Sequence, residues 1–374
     1  MPGFGHFHPL VPLARAFAQA GHEVAFATSP YFKEHVEAAD FYFLPAGIDH
    51  AERWARFEPF QAEHLALPLE ERRSFLFPHM FGTIEAPAKI EELREIVRRW
   101  EPGLIVHDSA DLAAPVAAEQ RGIPSVNHSF VRLVPVDIVA AAASQAGLSS
   151  DPLGGMFRGI YVDIAPPSFQ TEALPAGARV EPLRPIAVEP PSTERAPEWL
   201  DRLPERPTVY VTLGTVFNDL SVFRVLLDAL ADVDCNVIAT VGPRSDPGEL
   251  AAIPENAHVE RYISQSLVLP LSSVAVAHGG SGSTLAALAH GLPMLVLPQG
   301  ADQFENAQQC VAIGAGKLLL PHELTAQAAR QTVVSLLEDE VHRERARGVA
   351  HEISVMPDPA SLVPTLVATA PQAR

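Results

Sequence analysis

The run His278-Gly279-Gly280-Ser281-Gly282-Ser283-Thr284 carries the densest chemistry in the chain. An apolar, strand-like stretch precedes it and helical spacing follows it, so it reads as a strand-to-helix turn. Backbone N–H groups at a helix start have no intrahelical partner and carry partial positive charge, which suits phosphate oxygens. The glycines let the backbone approach a ligand closely. Ser281 and Ser283 add hydroxyls, and His278 adds a ring N–H. The run is not a P-loop, because the Lys of that motif is missing. The GxSxG pattern of a nucleophile elbow also fails, at Ser283. Taken alone, the turn leaves phosphate binding and a plain tight turn both open.

Three other loops share its position after a strand. Leu213-Gly214-Thr215 places a hydroxyl there, and Tyr262-Ile263-Ser264-Gln265 offers a flat ring and an amide. Gly300-Ala301-Asp302-Gln303 opens a further helix with a carboxylate and an amide suited to hydroxyl groups. In a parallel sheet such loops gather at the carboxyl ends of the strands, where ligands bind.

Near the N-terminus, Gly3-Phe4-Gly5-His6 forms a lone GxG without the third glycine of a dinucleotide fingerprint. His6 has the chemistry of a general base near neutral pH, whereas His8 reads as structural. Asp108 follows the apolar strand Gly103 to His107. In a doubly wound order that strand runs beside the first turn. The carboxylate could then fix the His6 tautomer and stabilise its charged form; an accidental pairing of two distant residues is the competing reading. Asp232-Val233-Asp234 matches the DxD pattern of metal-dependent sugar transferases, but it sits at a helix-to-strand junction and reads as solvated turn acids. With no HExxH and no third ligand near His6 and His8, neither a metal nor a cofactor is expected.

These residues need a scaffold of alternating strands and helices. Strands are expected at Glu23–Thr28, Phe41–Leu44, Gly103–His107, Pro124–Asn127, Thr208–Leu213, Asn236–Val241, Ser273–Ala277 and Pro293–Leu297. Helices are expected around residues 10–17, 90–100, 112–121, 220–231, 283–290, 303–313 and 326–337. The alternation specifies an α/β fold with parallel sheets covered on both faces. Six prolines between Pro185 and Pro207 mark a stiff linker. The expected division is therefore domain one at 1–186, a linker at 187–206, domain two at 207–350, and a tail or last helix at 351–374. Residues 45–82 show no clear period but are rich in aromatics, including Trp54, Phe57, Phe60, Phe75, Phe77 and Phe81. They read equally as the lining of an apolar ligand pocket and as helices packed on their own sheet. Met1-Pro2-Gly3 already lies inside the turn that a buried first strand should enter, so the first strand of domain one is expected to be missing from this chain.

The chain has 374 residues and a net charge of −18, with 47% hydrophobic and 19% charged residues. It is long enough for two globular cores. Its acidity opposes nucleic acid and anionic membrane surfaces as partners. Cys235 and Cys310 lie in apolar stretches and read as buried thiols of a reducing cytoplasm. No apolar run reaches the length of a membrane span, and no basic n-region suggests a signal peptide, so a cytoplasmic location is expected. A homodimer is compatible with the sequence.

The segment HGGSGSTLAALAHGLPMLVLPQGADQFENA (His278–Ala307) resembles the donor-binding signature of glycosyltransferase family 1. VYVTLGTVFND (Val209–Asp219), ERYISQSLVLP (Glu260–Pro270) and PGFGHFHPLVPLARAFAQAGHEVAFAT (Pro2–Thr28) resemble its other landmarks. The resemblance spans nearly the whole chain and points to bacterial enzymes that glycosylate antibiotics and related natural products. It implies a GT-B fold, with two Rossmann-like doubly wound domains facing a cleft. It also implies inverting, metal-independent transfer of a hexose-type sugar from a dTDP- or UDP-sugar to a hydroxyl of an apolar acceptor. By resemblance His6 is the catalytic base and Asp108 its orienting acid. Thr215, His278, Gly280, Ser281, Gly282 and Ser283 hold the diphosphate. Tyr262 stacks on the base, the Ile263 backbone and Gln265 read base and ribose, and Asp302 and Gln303 hold sugar hydroxyls. Ser264 replaces a common Pro and Tyr262 a frequent Trp. Ala286 stands where many relatives carry a Glu for the ribose hydroxyls, which is compatible with a deoxyribose donor. Two alternatives remain: a nucleotide-sugar epimerase of the same architecture, and a degenerate nucleotide-binding relative without catalysis.

Overall fold

The computed structural model describes residues 3–187, 196–214, 219–242, 245–250 and 252–370. Thr215 and most of the first part of the proline-rich linker lie outside them. The chain divides into two compact units. The first comprises Met1–Ala165, Gln170–Arg184 and Met356–Arg374; the second comprises Pro166–Phe169 and Pro185–Val355. Among the described residues no helix is long and apolar enough to cross a membrane.

The first unit holds strands β1 (Ala25–Thr28), β2 (Tyr42–Pro45), β3 (Ile105–Asp108), β4 (Ser125–His128), β5 (Ile160–Asp163) and β6 (Arg179–Pro182). All pairings are parallel, in two pieces: β1 with β2, and β3-β4-β5-β6 in sequence order. Among the described residues no strand joins β1 to β3. Both strands are only partly buried over their first residues, whereas β5 is buried at every position. Strands β5 and β6 carry no period-2 or purely apolar signature long enough to be read in advance.

Of residues 45–82, without a readable period in the sequence, most from His50 onward are helical. Asp49 caps the helix His50–Ala66 by accepting from the Glu52 N–H at 2.9 Å. Pro59 lies inside that helix. A second helix, Arg72–Phe77, runs into a π-helix, Pro78–Glu85, and then into the helix Ala86–Trp100. An internal proline and a π turn both break the 3.6-residue rhythm, which is why periodicity missed the segment.

The end of the chain, expected as a tail or last helix at 351–374, carries a helix. Leu362, Val363 and Leu366 of the helix Pro359–Val367 are buried, and that helix packs on the helix Val11–Gln19 of the first unit. The Arg184 N–H donates to the Pro357 carbonyl at 2.8 Å. The tail from Met356 is thus part of the first unit, held by the apolar face of this helix.

The second unit contains β7 (Thr208–Thr212), β8 (Asn236–Thr240), β9 (Ala257–Glu260), β10 (Val274–Ala277), β11 (Met294–Val296) and β12 (Gly316–Leu318). They form one parallel sheet of order β12-β11-β10-β7-β8-β9. Every residue of β7, β8 and β10 is buried, as a sheet covered on both faces requires. On one face Val209, Val211, Val237, Val274 and Val276 pack with Phe223, Leu226 and Leu230 of the helix Leu220–Leu230 and with Val333 and Leu336 of the helix Ala326–Glu338. The chain winds outward from β7 through β8 and β9, then crosses to β10 and winds the other way. Strands β7 and β10 are neighbours, so the reversal lies between them. Loops leaving their carboxyl ends diverge there and open a crevice.

Candidate functional site

In the second unit two loops meet at that reversal. The loop after β7 reaches Gly214, and the loop after β10 is His278-Gly279-Gly280. Their fit demands glycine. Gly214 has φ +77°, and a Cβ there would lie 2.6 Å from the His278 ring. Gly279 has φ +86°, and its Cβ would meet Val296 and the Gln303 carbonyl at 2.9 Å. A Cβ on Gly280 would lie 2.3 Å from His278 Nε2. The imidazole is therefore clamped between two backbone segments. Burial pushes its pKa down to about 4, with the Asp302 carboxylate pulling the other way. At neutral pH the ring is uncharged, with one N–H to give. Its Nδ1 is buried and has no hydrogen-bond partner among the described residues.

Gly280 is the N-cap of the helix Ser281–Ala289 and supplies no side-chain cap. The first N–H groups of that helix are thus left for another acceptor. Gly282 is exposed, and nothing stands within 4 Å of where its Cβ would be. His278, the helix mouth and Gly282 together form a neutral, donor-rich cradle of the kind that binds phosphate.

The structure brings most of the sequence-derived donor residues to this mouth and ties atoms of Ser281, Asp302 and Gln303 into bonds within the protein. Ser281 Oγ donates to Asp302 Oδ2 at 2.9 Å, so its hydroxyl is committed inside the protein. The same Asp302 oxygen accepts from Asn306 Nδ2 at 3.0 Å, and Asn306 Nδ2 also donates to the Gly279 carbonyl at 2.9 Å. Gln303 is only 4% exposed, and its Oε1 accepts from the N–H groups of Gln299 and Gly300 at 2.8 and 3.1 Å. That oxygen thus caps the loop in front of its own helix. Asp302 keeps its second oxygen for another role. Asn306, which fixes both Asp302 and the Gly279 turn, was not singled out from the sequence. Its position four residues after Asp302, on one helix face, is the signal that points to it.

Tyr262 is 60% exposed, with its ring outward and its hydroxyl 3.4 Å from Ser264 Oγ. Ile263 is buried, so only its backbone can meet a ligand. Gln265 Nε2 donates to Ser283 Oγ at 3.3 Å, tying the loop after β9 to the helix mouth. Nearby, the Trp199 indole stacks on His258 at 4.1 Å and 4° and donates to Glu260 at 3.2 Å, anchoring the described end of the linker on β9. Asp232 and Asp234 are 85% and 92% exposed and face Arg330 and Arg206. Cys235 and Cys310 are buried free thiols, pushed up to about 11 and about 12 by burial.

In the first unit His6 and Asp108 meet. The short helix Phe4–Phe7 carries His6, and β3 ends on Asp108. His6 Nδ1 lies 3.1 Å from both Asp108 oxygens. Asp108 is 4% exposed and accepts from the Ala110 N–H at 2.7 Å. Burial opposes its charge, but the His6 ring and the Ala110 N–H hold the carboxyl below its ordinary range. An ionised carboxylate on Nδ1 fixes the ring tautomer and leaves Nε2 as the atom that can take a proton. Two aromatic rings, unforeseen from the sequence as neighbours of this pair, stand edge-on to the imidazole: Phe130 at 5.0 Å and Phe81 at 5.7 Å.

The same chain matches two described sequence families along most of its length. Residues 15–214 match the erythromycin biosynthesis protein CIII-like N-terminal domain, and residues 224–369 match the corresponding C-terminal domain. It is 30% identical to the 3-alpha-mycarosylerythronolide B desosaminyl transferase of Saccharopolyspora erythraea, over 97% of this chain and 95% of the relative. It is 32% identical to the L-demethylnoviosyl transferase of Streptomyces niveus, over 98% and 96%. The crystal structure of the glycosyltransferase SnogD from Streptomyces nogalater superposes with a TM-score of 0.78 at 28% identity, covering 99% of this chain and 98% of that one. With its two Rossmann-like units and parallel sheets, the chain belongs to the erythromycin biosynthesis protein CIII-like family and is a glycosyltransferase of the GT-B fold.

Proposed function

We propose that this enzyme transfers a sugar, with inversion and without a metal or other cofactor, from a nucleotide diphosphate sugar to a hydroxyl of an apolar natural-product acceptor. The observation that carries the reading is the His6 Nδ1 contact with both oxygens of an ionised, buried Asp108. His6 Nε2 takes the acceptor hydroxyl proton as that oxygen bonds to the anomeric carbon. The bond from that carbon to the β-phosphate oxygen breaks, and the electron pair leaves with the diphosphate. Asp108 offsets the charge gained by the imidazole. His278 and the N–H groups opening the helix Ser281–Ala289 meet the charge on the leaving diphosphate, as preorganised donors do for any developing anion. The exposed Tyr262 ring supports base stacking, the free oxygen of Asp302 supports a contact to the sugar, and Phe81 and Phe130 support an apolar acceptor beside the base. Ala286 lacks a side chain that could hold a second ribose hydroxyl, which supports dTDP over UDP.

The test is a His6→Ala variant assayed for transfer and for dTDP binding. Transfer should fall by about 10²–10⁴-fold, the usual worth of a positioned general base, with dTDP affinity unchanged. Full activity in this variant removes His6 from the reaction. Transfer that fails in EDTA and returns with Mg²⁺ refutes the metal-free reading.

A further inference from the structure

The π-helix Pro78–Glu85 is not accounted for by the donor site or by the dyad. Such turns are rare in helices and concentrate at functional positions. Here the Ala86 N–H bonds the Phe81 carbonyl, the five-residue spacing of a π turn. Both flanks of the turn are pinned. On one side Gly82 lies so close to the helix Val136–Ala146 that a Cβ would stand 2.4 Å from the Ala142 carbonyl oxygen. Thr83 Oγ1 donates to Gln145 Oε1 of that helix at 2.8 Å. On the other side Glu85, the last π residue, accepts from Arg53 Nη1 of the helix His50–Ala66 at 2.9 Å, and both side chains are buried. Arg53 Nη2 is 3.0 Å from His50 Nδ1.

An ion pair this deep adds little stability over apolar residues of the same volume, because desolvation cancels most of the attraction. What it supplies is a defined register. That register decides where Phe81 points: its ring meets His6 edge-on at 5.7 Å and Phe77 at 4.7 Å. An ordinary α turn would rotate Phe81 around the helix axis and off the imidazole.

We propose that the π turn, locked by the Arg53–Glu85 ion pair, presents Phe81 as a positioning residue for His6. With Phe130 it holds the imidazole against Asp108 and sets the width of the acceptor's approach to Nε2. The assignment rests on the general-base reading of His6 for its consequence in transfer. The geometry it asserts is tested without nucleotide or acceptor.

The experiment follows carbethoxylation of the full chain by diethyl pyrocarbonate, with peptide mass spectrometry reading each histidine. Since Nδ1 is held by Asp108, modification of His6 reports access to Nε2. Phe81→Leu should raise the His6 rate by about threefold or more, Phe81→Tyr should keep it at the wild-type value, and Glu85→Gln should raise it as Phe81→Leu does. His107 and His128, buried beside Asp108 on β3 and β4, should stay protected in all three, which separates a freed imidazole from a loosened fold. If Glu85→Gln does not fold, Phe81→Leu, which leaves the ion pair intact, decides alone. A His6 rate in Phe81→Leu equal to wild type, or His107 and His128 reacting as fast as His6, overturns the proposal. Transfer lost in His6→Ala while Phe81→Leu leaves the His6 rate unchanged removes this assignment and keeps the general-base reading. The reverse pattern removes the general-base reading and keeps the positioning.

Discussion

Gly280→Ala isolates the role of His278. The backbone at Gly280 has φ −62° and ψ 144°, which alanine adopts without strain. The effect of the substitution is therefore a contact effect. The new methyl would lie 2.3 Å from His278 Nε2, 2.9 Å from Cε1 and 3.3 Å from Cδ2. Ordinary contact needs the ring to withdraw by about 1 Å. It cannot withdraw toward β7, because the imidazole already lies where a Cβ of Gly214 would be, at 2.6 Å. The ring must swing out of its slot, and its N–H leaves the helix mouth. A hydrogen bond to a charged partner is worth about 1.5–3 kcal/mol, so dTDP should bind about 10–150-fold more weakly. Isothermal titration of dTDP into wild type and Gly280→Ala measures this directly. In urea unfolding without nucleotide, Gly282→Ala, whose methyl meets no protein atom within 4 Å, should add up to about 1 kcal/mol of helix stability. Dissociation constants for Gly280→Ala within about threefold of wild type would mean that His278 and this mouth do not hold the diphosphate.

Other outcomes follow from the same geometry. Burial holds His128 and His278 at about 4. Each therefore binds fewer protons folded than unfolded between that value and the ordinary 6.5, and its contribution is complete above pH 6.5 and lost as pH falls toward 4. At pH 5 the loss is about 2 kcal/mol per histidine, and urea unfolding at pH 7.5 and pH 5.0 should show it; equal stability at the two values refutes the assignment. Asp108→Asn keeps an acceptor for the Ala110 N–H but removes the charge facing His6. Transfer should drop by about 10²-fold or more with a nearly unchanged melting temperature, and a rate equal to wild type would deny Asp108 its role. In a thermal-shift comparison dTDP should stabilise more than UDP at equal concentration, since a ligand at 100 times its Kd adds about 2.7 kcal/mol; the opposite order would count against Ala286 as the mark of a deoxyribose donor.

The second unit was the more legible half because its physics is local. Val209, Val211, Val274 and Val276 sit in short runs rich in β-branched and apolar residues, as buried parallel strands are, and each run is followed by a glycine turn. The His278 turn could be placed for that reason. What could not be read was how polar groups divide between ligand and protein. Ser281, Asp302 and Gln303 look alike in sequence as hydroxyl, carboxylate and amide beside a glycine turn. Yet Ser281 is spent on Asp302, and the Gln303 oxygen on Gln299 and Gly300. Each bond is set by loop curvature, including the left-handed Ala301 at φ +53°, which no spacing rule encodes. In the first unit the doubly wound order made the pairing of His6 with Asp108 a candidate and left accidental pairing open; the 3.1 Å contact is what joins them. The rings around the pair did not follow from topology. Phe81 reaches His6 only because a π turn, a backbone contact at Gly82 and a buried ion pair rotate it there. That π turn, with Pro59 in the helix His50–Ala66, also broke the period of residues 45–82. The loss of period at the end of that aromatic-rich segment was therefore a trace of the device that aims Phe81, legible only once the helix register was known.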